Sequence, residues 1–154
     1  MAKAHATPDR VSTSWRVRFA YRGDDIRPVA AEQVRMIAPG GALVPREAQE
    51  RWSGSYVEVI AGGGRDARWS RAIAQPNRAD RELFLEDGGV TRIDAPPEGE
   101  FELIIPDYGP DATFVLYASP AKAPEQAAKA RTKLRLADLE RLGSGRPVDD
   151  VSKA

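Results

Sequence analysis

Two pairs of closely spaced aspartates are the residues of this sequence best suited to do chemistry. Asp24 and Asp25 lie in "GDDIR", and Asp107 and Asp111 lie in "PDYGPD". Paired carboxylates can bind Ca²⁺ or act as the acid and base of glycoside hydrolysis. Aspartate beside glycine or proline is also common in β-turns, so the same residues predict two tight turns. We adopt the turn interpretation and keep a carboxylate-based hydrolase as an alternative.

The other common catalytic groups are scarce. The only histidine, His5, lies in a polar N-terminal segment, and the chain contains no cysteine and no Gly-x-Ser-x-Gly motif. This composition argues against a Ser-His-Asp triad, a disulfide and a thiolate metal site. The glycine run "AGGGRD" lacks the Lys and Ser/Thr of a phosphate-binding loop, and we interpret it and the "RGD" at residues 22–24 as turns. We therefore predict no catalytic residue, no metal and no cofactor.

Composition indicates a folded domain without a dominant charge. The chain has 154 residues, 42% of them hydrophobic, and its 23 basic residues balance its 23 acidic residues. A neutral chain exerts no long-range attraction on nucleic acid or anionic membrane, so neither is expected as a partner. The sequence begins without an apolar signal region, and no apolar run approaches the length of a membrane span. We predict a soluble cytoplasmic protein, with export by dedicated machinery as the alternative.

Alternating apolar and polar residues predict a series of short strands. In "SWRVRFAYRGDDIR", Trp15, Val17 and Phe19 alternate with arginines, as in a strand with one buried face. The remaining strand patterns lie at residues 32–38, 55–61, 67–74, 81–87, 90–96, 101–105 and 113–119. A long loop at 39–54, with one helical turn near 46–51, separates the second pattern from the third.

The rhythm of these strands predicts an all-β fold. Seven or eight short strands, separated by turn residues about every 8 to 12 positions, are typical of an antiparallel β-sandwich. Up to "FELIIPDYGPDATFVLYASP", the chain resembles a bacterial immunoglobulin- or fibronectin-type-III-like β-sandwich domain. The resemblance implies a binding, spacer or accessory module and carries over no catalytic residue.

The C-terminal part has a different composition, rich in alanine, leucine and basic residues. We predict a flexible arm at 1–13, a sandwich at 14–119, a linker and α-helix at 120–142 and a disordered tail at 143–154. Leucines recur every three residues at 136, 139 and 142. The apolar edge of this extension is expected to dock on the sandwich or on another chain, and deleting residues 121–154 is expected to leave the sandwich folded and to abolish association.

These features predict a non-enzymatic protein-interaction or scaffold module of a bacterial assembly. Its partner would be another protein or a second copy of the chain, bound through the C-terminal helix and the loops at 39–54 and 106–112. The predicted contact residues are Trp52, Tyr108, Lys129, Arg131, Arg135, Leu136 and Leu139. The main alternative is a carbohydrate-binding accessory module, which requires exposed aromatic rings among Trp52, Trp69 and Tyr108.

Overall fold

Seven antiparallel strands form two sheets that pack face to face around one core, which confirms the predicted β-sandwich. The computed structural model describes residues 11–40, 44–78, 82–84, 86–92 and 96–143. The three-stranded sheet has the order β2-β1-β7, with β1 at Ser14–Arg22, β2 at Asp25–Val34 and β7 at Glu98–Pro106. The four-stranded sheet has the order β4-β3-β8-β9, with β3 at Ser55–Ile60, β4 at Ala67–Ile73, β8 at Thr113–Ala118 and β9 at Lys129–Arg135.

Five smaller elements complete the described part of the chain. The strands β5 (Glu82–Phe84) and β6 (Val90–Arg92) pair with each other as a hairpin. A single helical turn, α1 (Arg46–Gln49), lies in the long loop where it was predicted. A 3₁₀ turn (Leu136–Asp138) leads into a five-residue helix, α2 (Leu139–Gly143). In the described ranges, no helix has the length and apolar character needed to cross a bilayer. Residues 1–10 of the predicted arm and residues 144–154 of the predicted tail lie outside these ranges.

The alternation in β1 produces the face that the sequence predicts. Val17 and Phe19 are fully buried, whereas Arg16 and Arg18 lie on the outer face of the three-stranded sheet. Phe19 stacks on Phe101 of β7, with ring centroids 5.1 Å apart, and meets Phe114 of the opposite sheet at 5.8 Å. These three rings join the two sheets, and each such pair adds about 0.5–1.5 kcal/mol beyond the burial of its apolar area.

The segment at 129–135 is a strand, so the predicted helix at 124–142 is wrong over most of its length. Thr132 and Leu134 are buried and alternate with exposed Lys133 and Arg135, which is the period of a strand. Residues 113–118 of β8 offer this segment a complete hydrogen-bonding edge. Pairing with that edge and burial of Leu134 outweigh the helical propensity of an alanine- and lysine-rich sequence.

The leucines after β9 belong to the core of the same chain. Leu136 is 1% exposed and Leu139 is fully buried, so the prediction that both contact a partner is wrong. The N–H of Leu136 donates to the carbonyl of Ala112 at 2.9 Å, which fixes the 3₁₀ turn on the loop before β8. The predicted boundary of the sandwich at residue 119 is therefore also wrong, because the fold continues through α2.

Removal of the C-terminal segment is consequently expected to unfold the protein. Leu139→Ala should lower the free energy of unfolding by about 2–5 kcal/mol, as deletion of a fully buried leucine side chain does. Leu142→Ala is the matched control because Leu142 is only partly buried, and its loss should be clearly smaller. Urea denaturation followed by circular dichroism measures both. Equal stability of Leu139→Ala and the wild type would restore the original docking hypothesis.

Candidate functional site

The outer face of the four-stranded sheet carries three of the predicted contact residues. Arg131 and Arg135 lie on β9, and Trp52 lies just before β3, where its carbonyl accepts the Ala128 N–H at 2.7 Å. Tyr108 lies in the loop between β7 and β8, in a separate group of contacts. The structure thus divides the predicted residues into an outer-face group, the buried pair Leu136 and Leu139, Tyr108, and Lys129, which is exposed on β9 outside the outer-face group.

A line of three cations, which we call the basic row, runs along β9: Arg131, Lys133 and Arg135. Because Thr132 and Leu134 point into the core, the residues between and beside them point outward. Residues two apart on a regular strand are separated by ~7 Å, which is the spacing of Lys133 and Arg135, and Arg131 precedes them at a β-bulge. The sequence prediction omitted Lys133. The alternation at 131–135 was the signal that identifies it, and the expectation of a helix concealed that signal.

A β-bulge removes Lys129 from the basic row. The register of β8 and β9 shifts between Leu116 and Tyr117, so that Tyr117 faces Ala130 and Ala118 faces Lys129. The extra residue is Arg131, whose Nε donates to the carbonyl of Ala118 at 3.1 Å. Lys129 is exposed and lies opposite Ala118, whose side chain faces the core, so Lys129 is not part of the basic row.

The basic row differs from the arginines of the other sheet in its ion pairing. On β1, Arg16 contacts Glu32 at 2.7 Å and Glu102 at 3.5 Å, and Arg18 contacts Glu100 at 3.5 Å. No carboxylate in the described ranges forms an ion pair with the basic row. Arg16 and Arg18 of β1 are thus compensated within the chain, whereas no carboxylate of the described residues compensates the basic row.

An aromatic cluster, formed by Trp52, Tyr56 and Tyr117, lies next to the basic row. The rings of Tyr56 and Tyr117 stack with centroids 4.4 Å apart and 12° between their planes. Trp52 contacts Tyr56 edge to face at 6.0 Å. Tyr117 is the neighbour of β9 across the ladder, so the cluster and the basic row share one surface. Stacked rings on paired strands have little freedom to move, which makes this surface rigid.

The buried carboxylate of Glu58 holds the cluster in place. Tyr117 donates its hydroxyl to Glu58 Oε1 at 2.7 Å, and Gln49 of α1 donates Nε2 to Oε2 at 3.5 Å. Burial raises the pKa of Tyr56 to about 12, and the negative charge of Glu58 adds to the effect. Burial also raises the pKa of Tyr117, with further contributions from its hydrogen bond to Glu58 and from the charge of Glu58. Both phenols therefore stay protonated at neutral pH. Tyr117 needs this proton, because its hydroxyl donates to Glu58.

The carboxylates of the two predicted turns have structural partners. Asp107 accepts the Gly109 N–H at 3.0 Å and the Gln33 amide at 2.8 Å. Asp24 accepts the Ala121 N–H at 2.7 Å and the Asn77 amide at 3.3 Å. Within the ranges that the structure describes, no group of three or more acidic, histidine or cysteine side chains converges as ligands of a metal ion would. Asp24 and Asp107 thus serve the turns that the sequence predicts.

The three aromatic residues of the carbohydrate hypothesis are each partly exposed, but they do not form one platform. Trp52 contacts Tyr56, as described above. The indole N–H of Trp69 donates to the carbonyl of Pro39 at 3.3 Å. Tyr108 lies under the guanidinium of Arg68, which is 5.7 Å from the ring centroid. Each ring is thus held by a different neighbour.

The shared carboxylate predicts a specific response to alkaline pH. A phenol whose pKa is raised by folding stabilises the folded state below the unfolded pKa of about 10. That contribution disappears as the pH rises through the folded value, so the wild type should lose stability between pH 10 and about 12. Tyr117→Phe should lower stability at pH 7 by about 1–3 kcal/mol, because Glu58 loses its short hydrogen bond.

The difference between the two proteins should then shrink as the pH rises above 10, since the variant lacks one of the late-ionising phenols. Thermal melting at pH 7 and at alkaline pH measures this, with ultraviolet absorbance reporting tyrosinate formation. A constant difference at all pH values would show that Tyr117 ionises normally in the folded state.

Comparison with known proteins finds no matching family model, no matching curated protein and no matching solved structure. The resemblance to immunoglobulin- and fibronectin-type-III-like domains therefore remains a prediction from strand rhythm.

Proposed function

We propose that this chain is a non-enzymatic interaction module that binds another protein through the outer face of its four-stranded sheet. The observation that carries the proposal is the uncompensated basic row beside the rigid aromatic cluster. Arginine, tyrosine and tryptophan are the residue types that most often dominate the binding energy of protein interfaces. All three types meet here: Arg131 and Arg135 on β9, Tyr117 on β8 and Trp52 before β3.

The energetics of the basic row favour binding of an anionic partner. Like charges ~7 Å apart repel each other by about 0.6 kcal/mol per pair in water, and by more where the surface excludes solvent. Carboxylates of a partner would relieve this repulsion and add charge-assisted hydrogen bonds. Arg16 and Arg18 of β1 offer no such gain, because Glu32, Glu100 and Glu102 already compensate them.

The surface is also preorganised, which lowers the cost of binding. β9 is held by its ladder with β8, and Tyr117 is fixed by its stacking on Tyr56 and by Glu58. Side chains and backbone that are already ordered lose less entropy on association than flexible loops do. The balanced net charge of the whole chain favours a partner with a local acidic segment over a long polyanion such as nucleic acid.

Affinity purification from the native host with a charge-neutral variant tests the proposal. The variant Arg131→Gln/Lys133→Gln/Arg135→Gln removes the basic row, and Arg16→Gln/Arg18→Gln/Arg22→Gln removes three cations from β1 as the matched control. We expect mass spectrometry to find at least one protein that the wild type and the control retain and the basic-row variant loses.

Both variants change only partly or fully exposed side chains, so circular dichroism should show that both keep the sandwich. If the wild type and the basic-row variant retain the same set of proteins, this surface does not serve as the interface and the proposal is wrong.

A further inference from the structure

We infer that β9 binds its partner by strand addition: an extended acidic segment of the partner protein pairs with the open edge of β9 and places carboxylates opposite the basic row. The inference rests on the proposed function and specifies the partner's conformation and chemistry. Edge strands present unpaired N–H and C=O groups to which an extended chain can add, and side chains at alternate positions then provide specificity.

The backbone of β9 has an open side. In the described ranges, β8 is the only strand that pairs with β9. The N–H of Leu136 points toward β8, because it donates to Ala112. Backbone groups of alternate residues point to opposite sides of a strand, so Lys133 and Arg135 direct their N–H and C=O groups away from β8. Lys133 and Arg135 therefore combine an exposed cation with backbone groups that face the open edge.

The edge of β2, on the same side of the sandwich, is blocked in several ways. Pro28 has no N–H, and Val29 is the unpaired residue of a β-bulge between Pro28 and Ala30. The helix α2 packs against β2 as well. These are devices by which proteins protect an edge from unwanted pairing. On β9 the bulge at Arg131 leaves residues 132–135 as a regular edge.

The chemistry of the basic row indicates the sequence of the added strand. Directly opposed residues of neighbouring strands have Cβ atoms about 4.5–5.5 Å apart on the same face of the sheet. Carboxylates two positions apart on the added strand would therefore meet Lys133 and Arg135, and a further acidic residue would lie near Arg131 at the bulge. The residues between them would face the side on which Thr132 and Leu134 are buried, and apolar side chains suit that side.

A second copy of the chain is a less favourable occupant than a separate acidic segment. The strand β7 carries Glu98, Glu100 and Glu102 at the same two-residue spacing. However, Arg18 and Arg16 of the same chain already bind Glu100 and Glu102. Pairing of β7 with β9 would have to replace existing ion pairs, whereas an acidic segment without internal partners would not. We therefore commit to a partner segment in which glutamate or aspartate alternates with apolar residues.

Synthetic peptides test strand addition directly. The probes are a peptide in which Glu and Val alternate, a block peptide of the same composition with all Glu before all Val, and two N-methylated forms of the alternating peptide. Alternate amides of a paired peptide point toward β9 or away from it. Methyl groups on the set that points toward β9 block pairing, and methyl groups on the other set do not. We expect the full chain to bind the alternating peptide at least about tenfold more tightly than the block peptide, a difference of about 1.4 kcal/mol.

One of the two N-methylated peptides should bind at least about tenfold more weakly than the unmethylated alternating peptide, while the other should keep its affinity. The variant Arg131→Gln/Lys133→Gln/Arg135→Gln should lose binding of the alternating peptide, and Arg16→Gln/Arg18→Gln/Arg22→Gln should keep it. Isothermal titration calorimetry measures all pairs at fixed ionic strength. The peptide affinity of Lys133→Pro compared with that of Lys133→Gln gives a second, independent test of the open edge. Both variants remove the cation, but only the proline also removes an outward N–H.

Several outcomes would overturn strand addition. The full chain could bind the alternating and block peptides with equal affinity, or bind both N-methylated forms with equal affinity. It could also bind a single-stranded oligonucleotide more strongly than the alternating peptide, or form a dimer in size-exclusion chromatography that the basic-row variant abolishes. If native partners are lost with the basic-row variant while the peptides show any of these results, strand addition is wrong and the proposed function stands. If native partners are retained, the proposed function itself fails.

Discussion

The ladder between β8 and β9 is the interaction on which the rest of the structure depends. It aligns Leu134 with Phe114 and Thr132 with Leu116, so that the last strand completes one wall of the core. Thr132 also reaches the opposite sheet, where its hydroxyl donates to the carbonyl of Ile26 at 2.6 Å. The same pairing turns the intervening cations outward. A single register therefore determines both the burial of the C-terminal leucines and the position of the basic row.

Charge compensation distinguishes the two outer faces of a chain that is neutral as a whole. On the three-stranded sheet, arginines and glutamates of adjacent strands pair with each other, and such exposed pairs contribute little to stability. On the four-stranded sheet, the only carboxylate of β3 is buried and hydrogen-bonded to Tyr117 and Gln49. Glu58 thus orders the aromatic cluster, and no carboxylate in the described ranges forms an ion pair with the basic row.

Most strands could be predicted from the sequence because their signal is local. Period-two alternation identified β1, β3, β4 and β7, a nearly continuous apolar run identified β8, and glycine and aspartate identified the turn at Gly23, whose φ of 59° is a left-handed value. The nature of β9 depended on a non-local fact, the vacant edge of β8, which competes with the helical propensity of the segment. A helix over residues 124–142 does not divide the segment into an outer face with the cations and an inner face with the leucines, whereas a strand at 129–135 does.

The sequence also predicts only those parts of the candidate site that do not depend on how distant strands pair. Residue type alone identified Trp52, Arg131 and Arg135, since exposed aromatic and arginine side chains are common in interfaces. The contribution of Tyr117 and Glu58 could not be predicted, because it depends on the pairing of β3 with β8 that sets Tyr56 against Tyr117. The bulge that separates Lys129 from its neighbours is likewise a property of the ladder.

Amide hydrogen exchange across residues 129–142, measured by nuclear magnetic resonance with and without an acidic peptide, tests the central claim most directly. In the free protein, the amides of Thr132 and Leu134 should exchange slowly, and those of Lys133 and Arg135 should exchange fast. Addition of the peptide should slow Lys133 and Arg135. Continuous protection from residue 129 to 142 in the free protein would show a helix in place of β9. Unchanged exchange of Lys133 and Arg135 in a saturated complex would contradict binding at the open edge.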